Sequence, residues 1–420
     1  MREMKPSSME WVGDIPASWK VMPNKYLMYK KKEICPVYNG EDILSLTMKG
    51  VIVRDLDAGG KMPTSFDGYQ RLEPGNLLMC LFDIDVTPRC IGLIKQTGLS
   101  SPAYSQFVLC DNANAAYYCY YYTMLDNDKT LLHLAKNLRH SLTEDQLGAI
   151  PVIVPPMDEQ QRIADFLDTK CAEIDALTAD IQTQIDTLEQ YKWSVITETV
   201  TKGLNPNAEM RDSGIQWIGN MPSSWSVLKG KYMFAQRSLR GNSIELQLLS
   251  PTQKFGVIPQ TRYEELSGMN AVKLSEKADL SLFKTIHKGD FCISLRSFQG
   301  GFEYSEYEGV VSPAYQVFYP TVEIADGYYR YLFKEQGFIE KMNSYTMTLR
   351  DGKNIAFSDF GNTYIPYPPL TEQSEIAAYL NSKCAQINAL ITEKQQQLAT
   401  LDEYKKSLIF EYVTGKKEVV

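Results

Sequence analysis

The sequence predicts an α+β chain: two pseudo-symmetric mixed α/β domains separated by two long antiparallel coiled-coil helices. Three observations carry this. Between Pro155 and Gly203, apolar residues recur as Ile163, Leu167, Ile174, Leu177, Ile181, Ile185, Leu188 and Val195, a narrow stripe at helical spacing. The same stretch returns from Pro368 to Gly415 at a constant shift of 213, laying Glu159-Gln160 on Glu372-Gln373, Lys170-Cys171 on Lys383-Cys384 and Tyr191-Lys192 on Tyr404-Lys405. The segments before each stretch also repeat, at offsets that drift from 206 to 211. The chain therefore reads as globular unit, long helix, globular unit, long helix, with bounds 1–156, 157–204, 205–369 and 370–420.

The first unit opens on MEWVGDIPASWKVMPNKYLM (9–28), which matches IQWIGNMPSSWSVLKGKYMF (215–234) and pairs Trp11 with Trp217, Gly13 with Gly219, Pro16 with Pro222 and Trp19 with Trp225. Short apolar runs bounded by Gly and Pro read as strands. They are Ile43–Leu46, Leu77–Phe82 and Phe107–Leu109 in the first unit, and Leu246–Leu249, Phe291–Leu295 and Gln316–Tyr319 in the second. Ser101-Pro102-Ala103-Tyr104 recurs as Ser312-Pro313-Ala314-Tyr315, and a shared turn is the reading for both. The tyrosine-rich runs that follow, with Leu131 to Leu138 and Tyr328 to Ile339, read as helical core. Residues 30–71 and 83–95 have little in common with 235–285 and 296–310, so the units share a scaffold and differ in their loops.

The first long helix starts after Pro155-Pro156, with Asp158 placed to accept from free amides and Gln161 at the capping-box position. Gly203 and Pro206 stop it. About 44 residues at 1.5 Å each make a rod of about 65 Å. A rod so long with so thin a stripe needs a partner helix, and the second copy is that partner. The expected seam is Ile163, Leu167, Ile174, Leu177, Ile181, Leu188 and Val195 against Ile376, Leu380, Ile387, Leu390, Leu401 and Leu408. Ile181 falls on Lys394, and Thr371 has no Glu or Gln three residues on, so the two helices are not interchangeable. The globular units are expected at opposite ends of the pair.

At 420 residues the chain has room for two or three domains. Its start, MREMKPSSMEW, lacks an apolar leader, and no apolar run approaches the ~18 residues of a membrane span. Eight cysteines without a Cys-x-x-Cys, and three histidines, outline neither a zinc framework nor a disulfide scaffold, so a reducing cytoplasm is expected. Of the net charge of −8, −6 resides in the first long helix, where 4 basic side chains face 10 acidic ones; residues 1–156 carry 16 and 17, 205–369 carry 17 and 17, and 370–420 carry 6 and 7. Near-neutral units allow a local basic groove but little non-specific pull on phosphate. No phosphate loop, dinucleotide fingerprint, His-Glu-x-x-His or amino-methyltransferase Asn/Asp-Pro-Pro-Tyr/Phe segment is present, which leaves binding as the function.

The paired Trp-x-Gly-x-x-Pro-x-x-Trp openings, the two Ser-Pro-Ala-Tyr segments and the twin Pro-Pro-x-x-Glu-Gln helices resemble the specificity (S) subunit of type I restriction-modification systems over nearly all 420 residues. The resemblance implies two target-recognition domains, each reading one half of a bipartite site on double-stranded DNA, and two helices that set the unread spacer. It implies no catalysis in this chain. Two methyltransferase (M) subunits would dock on the helices, and restriction/translocase (R) subunits would join for cleavage. S-adenosylmethionine, ATP and Mg would belong to those partners; no cofactor or metal is expected here, nor a membrane. The location implied is the cytoplasm of a bacterium or archaeon. A coiled-coil adaptor with protein-binding heads and no DNA readout is the alternative.

Candidate DNA contacts are cations and amides of the divergent loops: Lys30, Lys31, Lys32, Lys49, Arg54, Lys61, Arg71 and Arg89, then Arg237, Arg240, Lys254, Arg262, Arg296, Gln299, Arg350, Lys353 and Asn354. Arg reads guanine bidentately, Asn and Gln read adenine, and Lys more often meets phosphate. Arg296 leads, because the glycines of LRSFQGG let backbone come close. Cys171 and Cys384 read as small buried fillers on the helices.

Overall fold

The computed structural model describes residues 2–58, 63–87, 89–135, 140–241, 247–269, 280–293, 301–345 and 355–419. They divide into two compact units, Met1–Gln182 with Gln395–Val420, and Thr183–Lys394. Each long helix, Met157–Lys202 and Leu370–Val413, is thereby shared between the units.

The first unit is built on a four-stranded antiparallel sheet in the order Met28–Lys31, Ser105–Leu109, Leu77–Met79, Ile91–Leu93. Two-stranded pairs surround it: Met4–Pro6 with Asp14–Pro16, Lys20–Pro23 with Pro151–Val154, Gln70–Leu72 with Gly98–Ser100, and the hairpin Leu44–Thr47 with Gly50–Val53. The second unit repeats every one of these. Its sheet runs Phe234–Arg237, Gln316–Pro320, Phe291–Ile293, Phe302–Tyr304. Its pairs are Met210–Asp212 with Asn220–Pro222, Ser226–Lys229 with Tyr364–Tyr367, Lys284–Ile286 with Gly309–Val311, and the hairpin Leu249–Thr252 with Gly256–Pro259.

The tyrosine run lies on helix Ala115–Asn127 and is core: Tyr117, Tyr118, Tyr121 and Tyr122 are fully buried. Tyr118 and Tyr122 spend their hydroxyls on the carbonyl of Ile153 (3.0 Å) and on Asn24 Oδ1 (2.6 Å). A second helix spans Thr130–Leu134; Lys136 to Leu138 of the expected run lie outside the described residues. The expected 328–339 helix is two, Asp326–Leu332 and Gln336–Ser344, because the carboxylate of buried Glu335 caps the second by accepting from Phe338 N at 2.7 Å. Both Ser-Pro-Ala-Tyr segments form the shared turn, Tyr104 N donating to Ser101 O and Tyr315 N to Ser312 O, each at 3.1 Å.

In each unit the start of one long helix packs antiparallel on the end of the other. Phe166 meets Tyr412 (4.4 Å between rings) and Lys405 binds Asp175 (2.6 Å) in the first; Lys192 binds Asn388 (2.8 Å) in the second. Buried seam residues are Ile163, Leu167, Ile174 and Ile181, and Ile376, Leu380, Ile387 and Leu408, while Leu188, Val195 and Leu401 are half-buried. Leu177 and Leu390 leave the seam, each 47 % exposed. At about 100° per residue they sit roughly 60° from the line through Ile174 or Ile387, outside so narrow a contact. Where Lys394 replaces the counterpart of Ile181, Ile391 is buried instead.

The expected capping box at 158–161 does not form. Asp158 pairs with Arg162 (3.3 Å), and Gln161 joins Asn114 and Asp165, both at 2.7–2.8 Å. The start is fixed by Gln160, fully buried, which donates to Pro155 O (2.9 Å) and Asn112 O (3.0 Å) and accepts from Asn114 N (2.7 Å). Gln373 does the same with Pro368 O (2.8 Å) and Ala325 N (2.9 Å). Gly203 closes the first long helix in the left-handed region (φ 76°), as expected of a glycine stop. Cys171 and Cys384 are buried fillers.

Candidate nucleic-acid interface

The invariant partners across the two units form a frame that holds the loops. Trp19 and Trp225 are buried, and their indole N–H groups donate to Glu159 (2.9 Å) and Glu372 (2.8 Å) of the long helices. Tyr117 OH donates to Val413 O (2.8 Å), and Tyr328 OH to Val200 O (2.7 Å), tying each unit to the end of the other long helix. Gly13 and Gly219 take φ of 70° and 66°, which the tight turn between the two tryptophans of each motif requires. The Pro-Pro-x-x-Glu-Gln and Trp-x-Gly-x-x-Pro-x-x-Trp motifs are thus two halves of one joint.

Many of the loop cations are already paired. Lys30 binds Glu144, and Lys31 binds Glu73, whose carboxylate raises the Lys31 ammonium pKa. Arg71 lies between Glu33 (3.4 Å) and Glu41 (3.7 Å). Arg89 contacts buried Asp126 (3.4 Å) and Asn127 (2.9 Å). Arg237 grips Asp290 with two nitrogens (2.6 and 2.9 Å) while lying over Tyr319, so its fork is used inside the fold and is not presented to a guanine. Arg262 pairs with Glu265 at 2.8 Å. Arg54 is half-buried beside Tyr104, whose ring stacks with Phe82. Lys32, Lys49, Arg240 and Lys254 are exposed and have no acidic partner among the described residues. Lys61, Arg296, Gln299, Arg350, Lys353 and Asn354 lie outside the described residues.

The first unit carries a groove of about 750 Å³ between its hairpin, helix Ala115–Asn127 and its portions of the long helices. Lys49, Arg89, Lys95, Lys129, Lys405 and Lys406 line it. Four of these cations are paired with Asp126, Asp175, Asp402 and Glu403; Lys49 and Lys95 are not, among the described residues. Lys284, which the loop reading passed over, occupies the position of Gln70: each donates to the carbonyl of the Ser-Pro-Ala-Tyr tyrosine, at 2.6 and 2.8 Å. Burial, then Arg240, lowers its pKa. Among the described residues no cluster of three or more His, Cys, Asp or Glu side chains could hold a metal, and no helix is long and apolar enough to cross a membrane.

A family model, the type I restriction modification DNA specificity domain, matches residues 101–187 and 232–400. The chain belongs to that family. Among relatives of this specificity family, the type I restriction enzyme MjaX specificity subunit of Methanocaldococcus jannaschii is 23% identical over 291 residues, 66% of this chain and 62% of that protein. The MjaVIII specificity subunit of the same organism is 26% identical over 287 residues, 64% of this chain and 63% of its own length. The matches thus span less than two thirds of the curated relatives. The fold agrees with a chain solved in work on complex assembly and conformational transition of the type I R-M system (TM-score 0.69, 14% identity, 96% of this chain and 99% of that one). It also agrees with the HsdS subunit from Thermoanaerobacter tengcongensis (TM-score 0.50, 14% identity, 98% and 100%).

Proposed function

We propose that this chain is the DNA sequence-specificity subunit of a type I restriction-modification complex, with no catalytic activity of its own. Each unit reads one half of an asymmetric bipartite site on double-stranded DNA, and the long helices set the unread spacer. The observation that carries this reading is the duplication itself: one strand order built twice, held by the same Trp–Glu and Tyr–carbonyl joints, with different side chains on the exposed loops. A fixed frame with variable loops can position two different sets of base contacts on one duplex.

Two methyltransferase subunits dock on the helices in this proposal. An exposed apolar and cationic constellation occurs once in each unit, Leu177 with Lys170 near Tyr404, and Leu390 with Lys383 over the ring of Tyr191. Two matched patches suit two copies of one partner. S-adenosylmethionine would be bound by those subunits, and ATP and Mg by a restriction/translocase subunit, in the cytoplasm of a bacterial or archaeal cell.

Exchanging residues 30–150 for those of a relative, in cells that also express the methyltransferase partner, tests the reading by sequencing the methylated sites. One half of the target is expected to change. A change in both halves, or in neither, would defeat the modular reading.

A further inference from the structure

The two hairpins are the same device, although little in the loop sequences announces it. In the first unit Thr47 Oγ1 donates to Gly50 O (3.0 Å) and accepts from Lys49 N (3.1 Å). In the second, Thr252 Oγ1 donates to Gly256 O (3.0 Å) and accepts from Phe255 N (3.0 Å). Both turns close on a left-handed glycine, Gly50 (φ 88°) and Gly256 (φ 71°). Both hairpins are also seated identically. A Cβ on Gly98 would strike Asp42 O and Leu44, and one on Gly309 would strike Gln247 O and Leu249, so glycine is what lets each first strand lie against its neighbour. Each hairpin then presents one exposed lysine at its tip, Lys49 or Lys254, the second with its ammonium 5.3 Å from the Phe255 ring centre. Among the described candidate cations, these are the one matched pair without an acidic partner.

We propose that Lys49 and Lys254 are equivalent phosphodiester contacts, one per half-site, which hold each unit on the DNA backbone and carry no sequence information. The inference rests on the DNA-reading role proposed above and assigns these tips a part in it. A lysine two residues after the capping threonine, on the same Thr–Gly-closed hairpin in two units that read different half-sites, cannot distinguish those half-sites. The phosphate backbone is the constituent both half-sites share, and lysine offers it a point charge without the geometric demand of a base edge. The paired cations around them have carboxylates in place of counterions, so they have little to gain from phosphate; Lys49 and Lys254 have no carboxylate to give up.

The test uses the full chain assembled with its methyltransferase subunits, as wild type, K49Q, K254Q, the double K49Q/K254Q and the charge-retaining K49R/K254R. Affinity is measured against salt on a duplex bearing the methylated site and on a scrambled duplex, and methylated sites are mapped in cells. Each glutamine is expected to weaken binding by the same factor on both duplexes and to flatten the slope of log K against log salt by about one, and the double by about two. The arginine pair should restore the slope, and the methylated sequence should stay unchanged throughout. A changed half-site would overturn the proposal by making the tips base readers. An unaltered salt slope would overturn it too, and loss of the methyltransferase subunits on purification alongside it would make the tips a protein-docking edge. A wild-type complex that does not prefer its methylated site would instead remove the DNA-reading role itself.

Discussion

Gln160 shows how much one side chain can hold. Fully buried, it satisfies one amide and two carbonyls at the mouth of the first long helix, and Gln373 repeats two of these bonds, to one amide and one carbonyl. Replacing either by alanine leaves those groups buried and unmet, at a cost of about 3 kcal/mol. Thermal melts of Q160A or Q373A should show the affected unit unfolding roughly 6–12 °C lower. Glu303 supplies a pH signature. It is buried beside Lys334 (2.5 Å), and burial outweighs that lysine to push its carboxyl up to about 7. The folded state therefore holds this proton to higher pH than the unfolded state does. The stability it contributes is full below about 4.5 and is lost as pH rises through about 7. Urea melts at pH 5 and pH 8 should differ more for wild type than for E303Q, by at most about 3 kcal/mol. Neither role was readable in the sequence alone. Gln160 stood in a visible motif, but two of its three partners are 46 and 48 residues away, and Arg237 looked like a base reader until Asp290 closed on it from 53 residues along the chain.

At the scale of elements, periodicity located both long helices and most of the seam, since a 3.6-residue repeat is a property of local sequence. It misjudged Leu177 and Leu390 because spacing alone does not tell how wide the contact is. I181A, which empties a buried seam position, should cost about 2–5 kcal/mol in a urea melt. L177S and L390S should cost far less, and, if the helices dock methyltransferase subunits, the pair should lower the number of those subunits that co-purify. Retention of both subunits by that double variant would count against the matched patches as docking sites. The hairpins were the element the sequence concealed. Phe255 adds one residue to the second turn, which shifts the register and breaks the match between Thr47-Met48-Lys49-Gly50 and Thr252-Gln253-Lys254-Phe255-Gly256. Backbone geometry preserved what an ungapped comparison lost.

For the whole molecule, the duplication was legible because its anchors, Trp19 and Trp225, Glu159 and Glu372, Tyr117 and Tyr328, are large side chains with one job each. The proposed ruler makes a prediction at this scale. Four residues inserted at matched points of both long helices add about 6 Å to each. Methylome sequencing should then report a longer run of unread bases between two unchanged half-sites; altered half-sites with the original separation would refute the ruler. One consequence of the division into units concerns biosynthesis. The unit Thr183–Lys394 is a continuous segment, whereas its counterpart is completed only by Gln395–Val420, whose Val413 carbonyl receives the Tyr117 hydroxyl. On the ribosome every residue of the second unit is therefore made before the Tyr117 hydroxyl can meet its acceptor.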